Sequence, residues 1–302
     1  MLSVTVSALA ACGESGTSED QADGPRATTV ELPGGVDVVS GVMGLNEKGV
    51  VLLGAFAEGD RYTDRVLSVD LAEGSSTVID PPDFEGCGEA VPRAIGPSAT
   101  AEGTWVVFSC FEWTPEERQL VRLDETGAWS VVGERFELPG AAGSALASTV
   151  VDDEELVVVT GGRGACIVGG AVTCQTWDEV PGCGGLARLR LAGSTEGVVA
   201  LTDHRDIVLV SVDANRAVKC SPVRSYEESI VGYSGPPAVM LTVDARDVRV
   251  VDVLDGSTLM QAEPPSDDPD EWSLAQSAEE WTVCAAKSHA TELRCTRYPT
   301  QG

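Results

Sequence analysis

One unit recurs along most of this chain: an apolar strand, a polar turn, a second strand ending in Asp, a tight turn and a third strand. VVLLGAF, around residue 51, is followed by RVLSVDLAEGSSTVI, ending at Ile79. WVVFS, from Trp105, is followed by QLVRLDETGAWSVV, ending at Val132. VVALT, from Val198, precedes IVLVSVDANRAVKC, ending at Cys220, and VMLTV, from Val239, precedes VRVVDVLDGSTLM, ending at Met260. Two less regular copies lie between Leu156 and Trp177 and between Trp281 and Tyr298. The apolar runs are short and rich in Val, Leu and Thr, and Gly, Asp and Pro turns separate them. No stretch keeps a helical period, so the fold class is all-β.

The copies follow one another at roughly 40 to 55 residues, the period of four-stranded β-propeller blades. Ahead of each copy lies a smaller run rich in Gly, Ala and Ser, near Val38, Ala94, Ala145, Ala187, Ser229 and Ser273. Such side chains suit the crowded inner strand of a blade. This makes six blades, the last without a fourth strand of its own. Residues 27–33, ATTVELP, are expected to supply that strand and close the ring, which removes the open edges of a circular array. Seven blades and tandem β-sandwiches are the alternatives. The unit resembles the strand–Asp–turn–strand repeat of bacterial propellers. DETGAW at 124–129 is similar to quinoprotein repeats, and Gly161-Gly162 to a kelch doublet, each once only. No cofactor is expected on that basis.

The repeated acids are Asp70, Asp124, Asp213 and Asp252. A carboxylate there can accept backbone N–H groups of the following turn, where Gly74, Gly127 and Gly256 supply permissive backbone. They are read as turn formers.

The N-terminal segment carries a second motif. LSVTVSALAA at residues 2–11 is apolar and small, and Cys12 and Gly13 follow. About ten such residues are too few to span a ~30 Å hydrocarbon core as a helix, but they suit a signal peptide. Leu9-Ala10-Ala11-Cys12 resembles a bacterial lipobox, although residues 1–11 lack the Lys or Arg of a basic n-region. The resemblance implies cleavage before Cys12 and a diacylglyceryl group on its thiol. Residues 13–29 hold no large apolar side chain and read as a flexible tether. The expected organisation is a signal peptide at 1–11, a lipidated tether at 12–26 and one propeller domain at 27–302. The location that follows is the extracytoplasmic face of a cell membrane.

Nine cysteines less Cys12 leave an even set: Cys87, Cys110, Cys166, Cys174, Cys183, Cys220, Cys284 and Cys295. An exported chain meets an oxidising compartment, so these are expected to form disulfides. Of the 105 pairings possible for eight cysteines, sequence neighbours are the natural choice: Cys87–Cys110, Cys166–Cys174, Cys183–Cys220 and Cys284–Cys295. Zinc sites favour C-x2-C pairs, and the chain has none, so no metal is expected.

With 48 acidic and 20 basic residues the net charge is -28, which repels phosphate backbones and argues against nucleic-acid binding. No nucleophile elbow, Rossmann fingerprint or phosphate-cradling loop occurs, and no catalytic residue is assigned. His204 and His289 stand alone in polar turns, and Asp267, Asp268, Asp270 and Glu271 read as a solvated loop. Aromatic residues are few, so a carbohydrate-stacking surface is not advertised; Trp113, Trp177 and Trp272 border polar segments and are the candidates for one, whereas Trp105 and Trp281 open apolar strands and belong to the core. The expected function is a membrane-anchored binding or scaffold module with a protein, glycan or small-molecule ligand. The alternative is an extracellular hydrolase or lyase working at the central face of the ring.

Overall fold

Short apolar runs punctuated by turns can bury both faces of a sheet only if sheets stack against one another, and the chain solves this with a ring of six four-stranded antiparallel sheets. The computed structural model describes residues 25–300 apart from 35, 47–48, 59–60, 101–102, 141–143, 185–189, 204–205, 226–228, 236–237, 244–246, 266–270, 278 and 288–290. Among the described residues there is no helix. The architecture is a six-bladed β-propeller.

Blade 1 is β2 (Val36–Asn46), β3 (Gly49–Glu58), β4 (Arg61–Asp70) and β5 (Ser75–Ile79). Blade 2 is β6 (Ala90–Pro97), β7 (Thr104–Cys110), β8 (Glu117–Leu123) and β9 (Trp129–Glu137). Blade 3 comprises β10 (Ala145–Val151), β11 (Glu154–Thr160), β12 (Gly164–Val168) and β13 (Val172–Thr176). Blade 4 comprises β14 (Arg190–Thr195), β15 (Val198–Asp203), β16 (Asp206–Val212) and β17 (Val218–Ser225). Blade 5 runs through β18 (Ser229–Ser234), β19 (Val239–Val243), β20 (Val248–Asp252) and β21 (Thr258–Ala262). Blade 6 takes β22 (Glu271–Gln276), β23 (Glu280–Ala286) and β24 (Glu292–Pro299) from the end of the chain and β1 (Arg26–Glu31) from its start.

The closing strand is therefore the one the sequence designates. β1 runs antiparallel to β24, with Val30 opposite Leu293 and both fully buried. It is also tied to blade 1: the Thr28 hydroxyl donates to the Leu71 carbonyl at 3.1 Å, and the Glu31 N–H donates to that of Gly74 at 3.0 Å. At the hub, Val42 of β2 pairs in parallel with Tyr233 of β18 and with Leu274 of β22. Backbone from blades 1, 5 and 6 thus meets across the axis.

The core lies between blades. Every residue of β7 and of β12 is buried, because these strands are covered on both faces by neighbouring sheets. This is why such strands read as unbroken apolar runs rather than as an alternation. Small hydroxyl residues on the inner strands stitch blade to blade: Ser148 donates to the Pro97 carbonyl at 2.9 Å, Ser194 to that of Ser148, and Thr149 to that of Thr195.

The four aspartates do what the repeat predicts. One carboxylate oxygen of Asp70 accepts from the backbone of Ala72 and Glu73, that of Asp124 from Thr126 and Ala128, that of Asp213 from Asn215 and Ala217, and that of Asp252 from Leu254 and Asp255. The disulfides are Cys87–Cys110, Cys166–Cys174, Cys183–Cys220 and Cys284–Cys295. Two of them join residues directly opposite on adjacent strands, Cys166 with Cys174 and Cys284 with Cys295.

Candidate functional site

The antiparallel order sorts the connections onto two faces. Links between the first and second strands of a blade, and between the third and fourth, lie on one face and are tight. The Asp turns belong there. Links between the second and third strands, and the crossovers from blade to blade, lie on the other face, which carries the longest connections. The crossover between β5 and β6, the loop between β7 and β8 and the crossover from β13 to β14 are examples. His204 falls between β15 and β16, His289 between β23 and β24, and Asp267, Asp268 and Asp270 between β21 and β22. All five lie outside the described residues, as does Cys12. Of the acidic run, only the backbone of Glu271 is described, as the first residue of β22.

Burial overturns one expectation. Trp113, Trp177 and Trp272 retain 8%, 2% and 6% of their exposure, so none offers an open stacking face. The polar neighbours of Trp113 and Trp177 are turns that fold the indoles inward, and Trp272 lies in β22. Trp105 and Trp281 are buried as expected.

Trp113 nevertheless floors a concavity of the long-loop face, a cleft of about 620 Å³ on blade 2. The blade 1–2 crossover contributes Asp83, Phe84 and Glu85, the loop between β7 and β8 contributes Trp113, β8 contributes Glu117 and Gln119, and β9 contributes Val131, Glu134 and Arg135. The Cys87–Cys110 disulfide pins that crossover to the end of β7. Phe84 meets Trp113 edge-on at 5.7 Å between centroids and also contacts the buried Phe108 at 5.5 Å. The 110–117 loop is closed by two backbone bonds, Trp113 N–H to Cys110 carbonyl and Glu117 N–H to Thr114 carbonyl. The Glu117 carboxylate in turn accepts from the Thr114 N–H at 2.7 Å.

The far wall is a built irregularity. Arg118 pairs with Phe136 and Leu120 with Val132, so residues 133–135 of β9 stand opposite Gln119 alone. Gly133 opens this bulge at φ 66°, a conformation that costs a side-chain-bearing residue. The ladder bonds lost there are replaced by Gln119, 5% exposed, whose amide donates to the carbonyls of Leu120 at 3.1 Å, Val132 at 3.2 Å and Gly133 at 3.4 Å. The bulge delivers Arg135 to the cleft. Its guanidinium lies 5.0 Å above the Trp113 ring and 3.7 Å from Glu117 Oε1. An aromatic face framed by carboxylates is a cation site, and here the protein's own arginine fills it.

A second polar group sits nearby on the same face. Arg93 is the extra residue of a bulge in β6, between the Pro92–Phe108 and Ala94–Val107 pairs. It donates to the Ser109 hydroxyl at 2.6 Å and lies 3.8 Å from Asp64. Burial raises the Asp64 carboxyl above its ordinary value, against the pull of Arg93. Arg118, 3% exposed, donates to the carbonyls of Pro115 and Glu117, and burial followed by the charge of Arg93 lowers its pKa. These contacts brace the mouth of blade 2.

Cys87, Cys110 and Glu112 also come together. Both sulfurs are consumed in the disulfide, which leaves one carboxylate and no metal centre.

Sequence reasoning passed over Phe84, Gln119 and Arg135. The available signal was Gly133 inside the strand-like run SVVGERF, since a lone Gly in a strand marks a bulge. No family model matches the chain, and no curated protein matches it either, so its function is read from its geometry.

Proposed function

We propose that this protein is an extracytoplasmic binding module, tethered to a membrane through a lipid on Cys12, that presents the long-loop face of a six-bladed propeller to its ligand. The observation that carries the reading is the position of β1. Its first residue, Arg26, pairs with Arg297 at the end of β24, just as Trp129 pairs with Leu123 beside the Asp124 turn. The chain therefore enters the ring on the tight-turn face, opposite the long loops and the blade 2 cleft. A tether arriving there directs the cleft away from the membrane. The four disulfides are consistent with an extracytoplasmic location.

Intact mass of the membrane-extracted protein tests the anchor. The expected result is a chain beginning at Cys12 that carries a diacylglyceryl mass, with eight thiols alkylated only after reduction. A chain that retains residues 1–11, or one beginning at Cys12 with a free thiol and released by washing, overturns it.

A further inference from the structure

The blade 2 cleft holds four carboxylates, Asp83, Glu85, Glu117 and Glu134, against one guanidinium, that of Arg135. Arg135 is held loosely. Its side chain keeps 45% of its exposure, and among the described residues its guanidinium has the stacking on Trp113 and the ion pair with Glu117 but no hydrogen bond. Beneath it, the Trp113 indole Nε1 is buried without a hydrogen-bond partner. The cleft is also much larger than one guanidinium. It runs along β9, the outermost strand of its sheet, where Val131 is 52% exposed.

Resting on the binding-module reading, we propose that this cleft docks an arginine side chain presented by an extended basic segment of a protein partner, and that Arg135 is a built-in occupant which the incoming guanidinium displaces. The chemistry favours arginine over lysine, because a planar guanidinium stacks on an indole face while meeting a carboxylate at its edge. An extended segment suits the site because β9 is the last strand of its sheet, with no strand paired to its outer edge among the described residues, and Val131 offers apolar ground for a neighbouring side chain. The net charge of -28 draws a basic partner toward the protein from a distance. Displacement makes the site self-competing: a ligand must outbid Arg135, so binding to the wild-type protein is weakened by the fraction of time the resident side chain holds the site.

The test uses the full chain and a capped pentapeptide, Ala-Gly-Arg-Gly-Ala, with counterparts carrying lysine or citrulline at the centre, in isothermal titration. Arg135→Gln frees the cage and is expected to bind the arginine peptide about tenfold more tightly than wild type. Adding Glu117→Gln to it is expected to abolish that gain, and the uncharged citrulline peptide is expected not to bind. Arginine binding that Arg135→Gln leaves unchanged or weakens overturns the proposal, as does equal binding of arginine and citrulline. These titrations do not depend on the lipid, so a missing acyl group on Cys12 would overturn the anchor and leave them standing, whereas a negative titration on a lipidated chain would overturn only the arginine site.

Discussion

Replacing Glu155 by alanine removes the acceptor on which four donors from the neighbouring blade converge. Glu155 lies on β11 of blade 3. Its carboxylate accepts from the Ser98 hydroxyl at 2.9 Å, the Ala99 N–H at 2.6 Å, the Thr100 hydroxyl at 2.8 Å and the Trp105 indole N–H at 2.9 Å, all from blade 2. The donors are not equal. The two hydroxyls can turn to water. Trp105 is 6% exposed and its N–H cannot, so that donor costs about 1–3 kcal/mol when orphaned, and the part-buried Ala99 N–H adds about 1 kcal/mol. Glu155→Ala is therefore expected to lower stability by roughly 2–4 kcal/mol, read as a drop of roughly 4–8 °C in Tm for a domain of this size. Glu155→Gln keeps the volume but turns an amide toward donors, at roughly 1–2 kcal/mol. The pH dependence is the sharper test. Burial alone would raise the Glu155 pKa, but the bonds from Trp105, Ala99, Thr100 and Ser98 outweigh it and hold the carboxyl below its ordinary value of 4.5. Its contribution is therefore complete above the unfolded value and is lost as pH falls through the folded one. In urea melts the gap between wild type and Glu155→Gln should be full at about pH 7, should begin to narrow as pH falls past the ordinary value of 4.5, and should close as pH falls through the lower folded value and the wild-type carboxyl protonates. A Glu155→Ala loss under 1 kcal/mol, or a gap that does not change with pH, would refute the reasoning.

Other perturbations have equally definite outcomes. Gln119→Leu orphans the Val132 and Gly133 carbonyls and should cost about 1–3 kcal/mol in urea melts, with a changed tryptophan near-ultraviolet dichroism as Arg135 shifts over Trp113. Because loop entropy grows with length, Cys183→Ser/Cys220→Ser, across 37 residues, should cost about 4 kcal/mol, and Cys166→Ser/Cys174→Ser, across 8, about 2.5 kcal/mol, compared by melting temperature. Deleting residues 25–31 bares the edge of β24 and the core beneath Val30, and gel filtration should show association in place of a monomer-sized peak.

The parts of this fold that sequence makes legible are those where one residue does one local job. Asp70, Asp124, Asp213 and Asp252 each organise a turn within five residues of themselves, so the repeat shows without any tertiary knowledge. The cysteines pair as sequence neighbours because each pair stays within one blade or bridges two successive ones. Val38, Ala94, Ala145, Ser229 and Ser273 fall in the inner strands β2, β6, β10, β18 and β22, where the small runs around them suit the place where blades converge; Ala187 lies outside the described residues. The cleft was not legible. Its residues come from a crossover, a loop and a bulged strand, and what joins Phe84, Trp113 and Arg135 is the crossover pinned by Cys87–Cys110 meeting the bulge at Gly133; Gly133 marks the bulge locally, but nothing local says what the bulge faces. Trp113 was misplaced for the same reason: polar neighbours in sequence said nothing of the arginine that folds over it.

The pairing of β1 with β24 has a consequence for how the protein is made. Val30 and Leu293 are partners, yet one leaves the ribosome some 260 residues before the other. At ~5–20 residues per second that is roughly 13–50 s of waiting for the strand synthesised first. Blades 1 to 5 have their own four strands and can assemble in order as they emerge, but the ring has no closed form until its last hairpin exists. The decisive event in the making of the ring is thus the meeting of its first strand with its last, and any handling of the chain that keeps the early strand from its place until then works with the topology rather than against it.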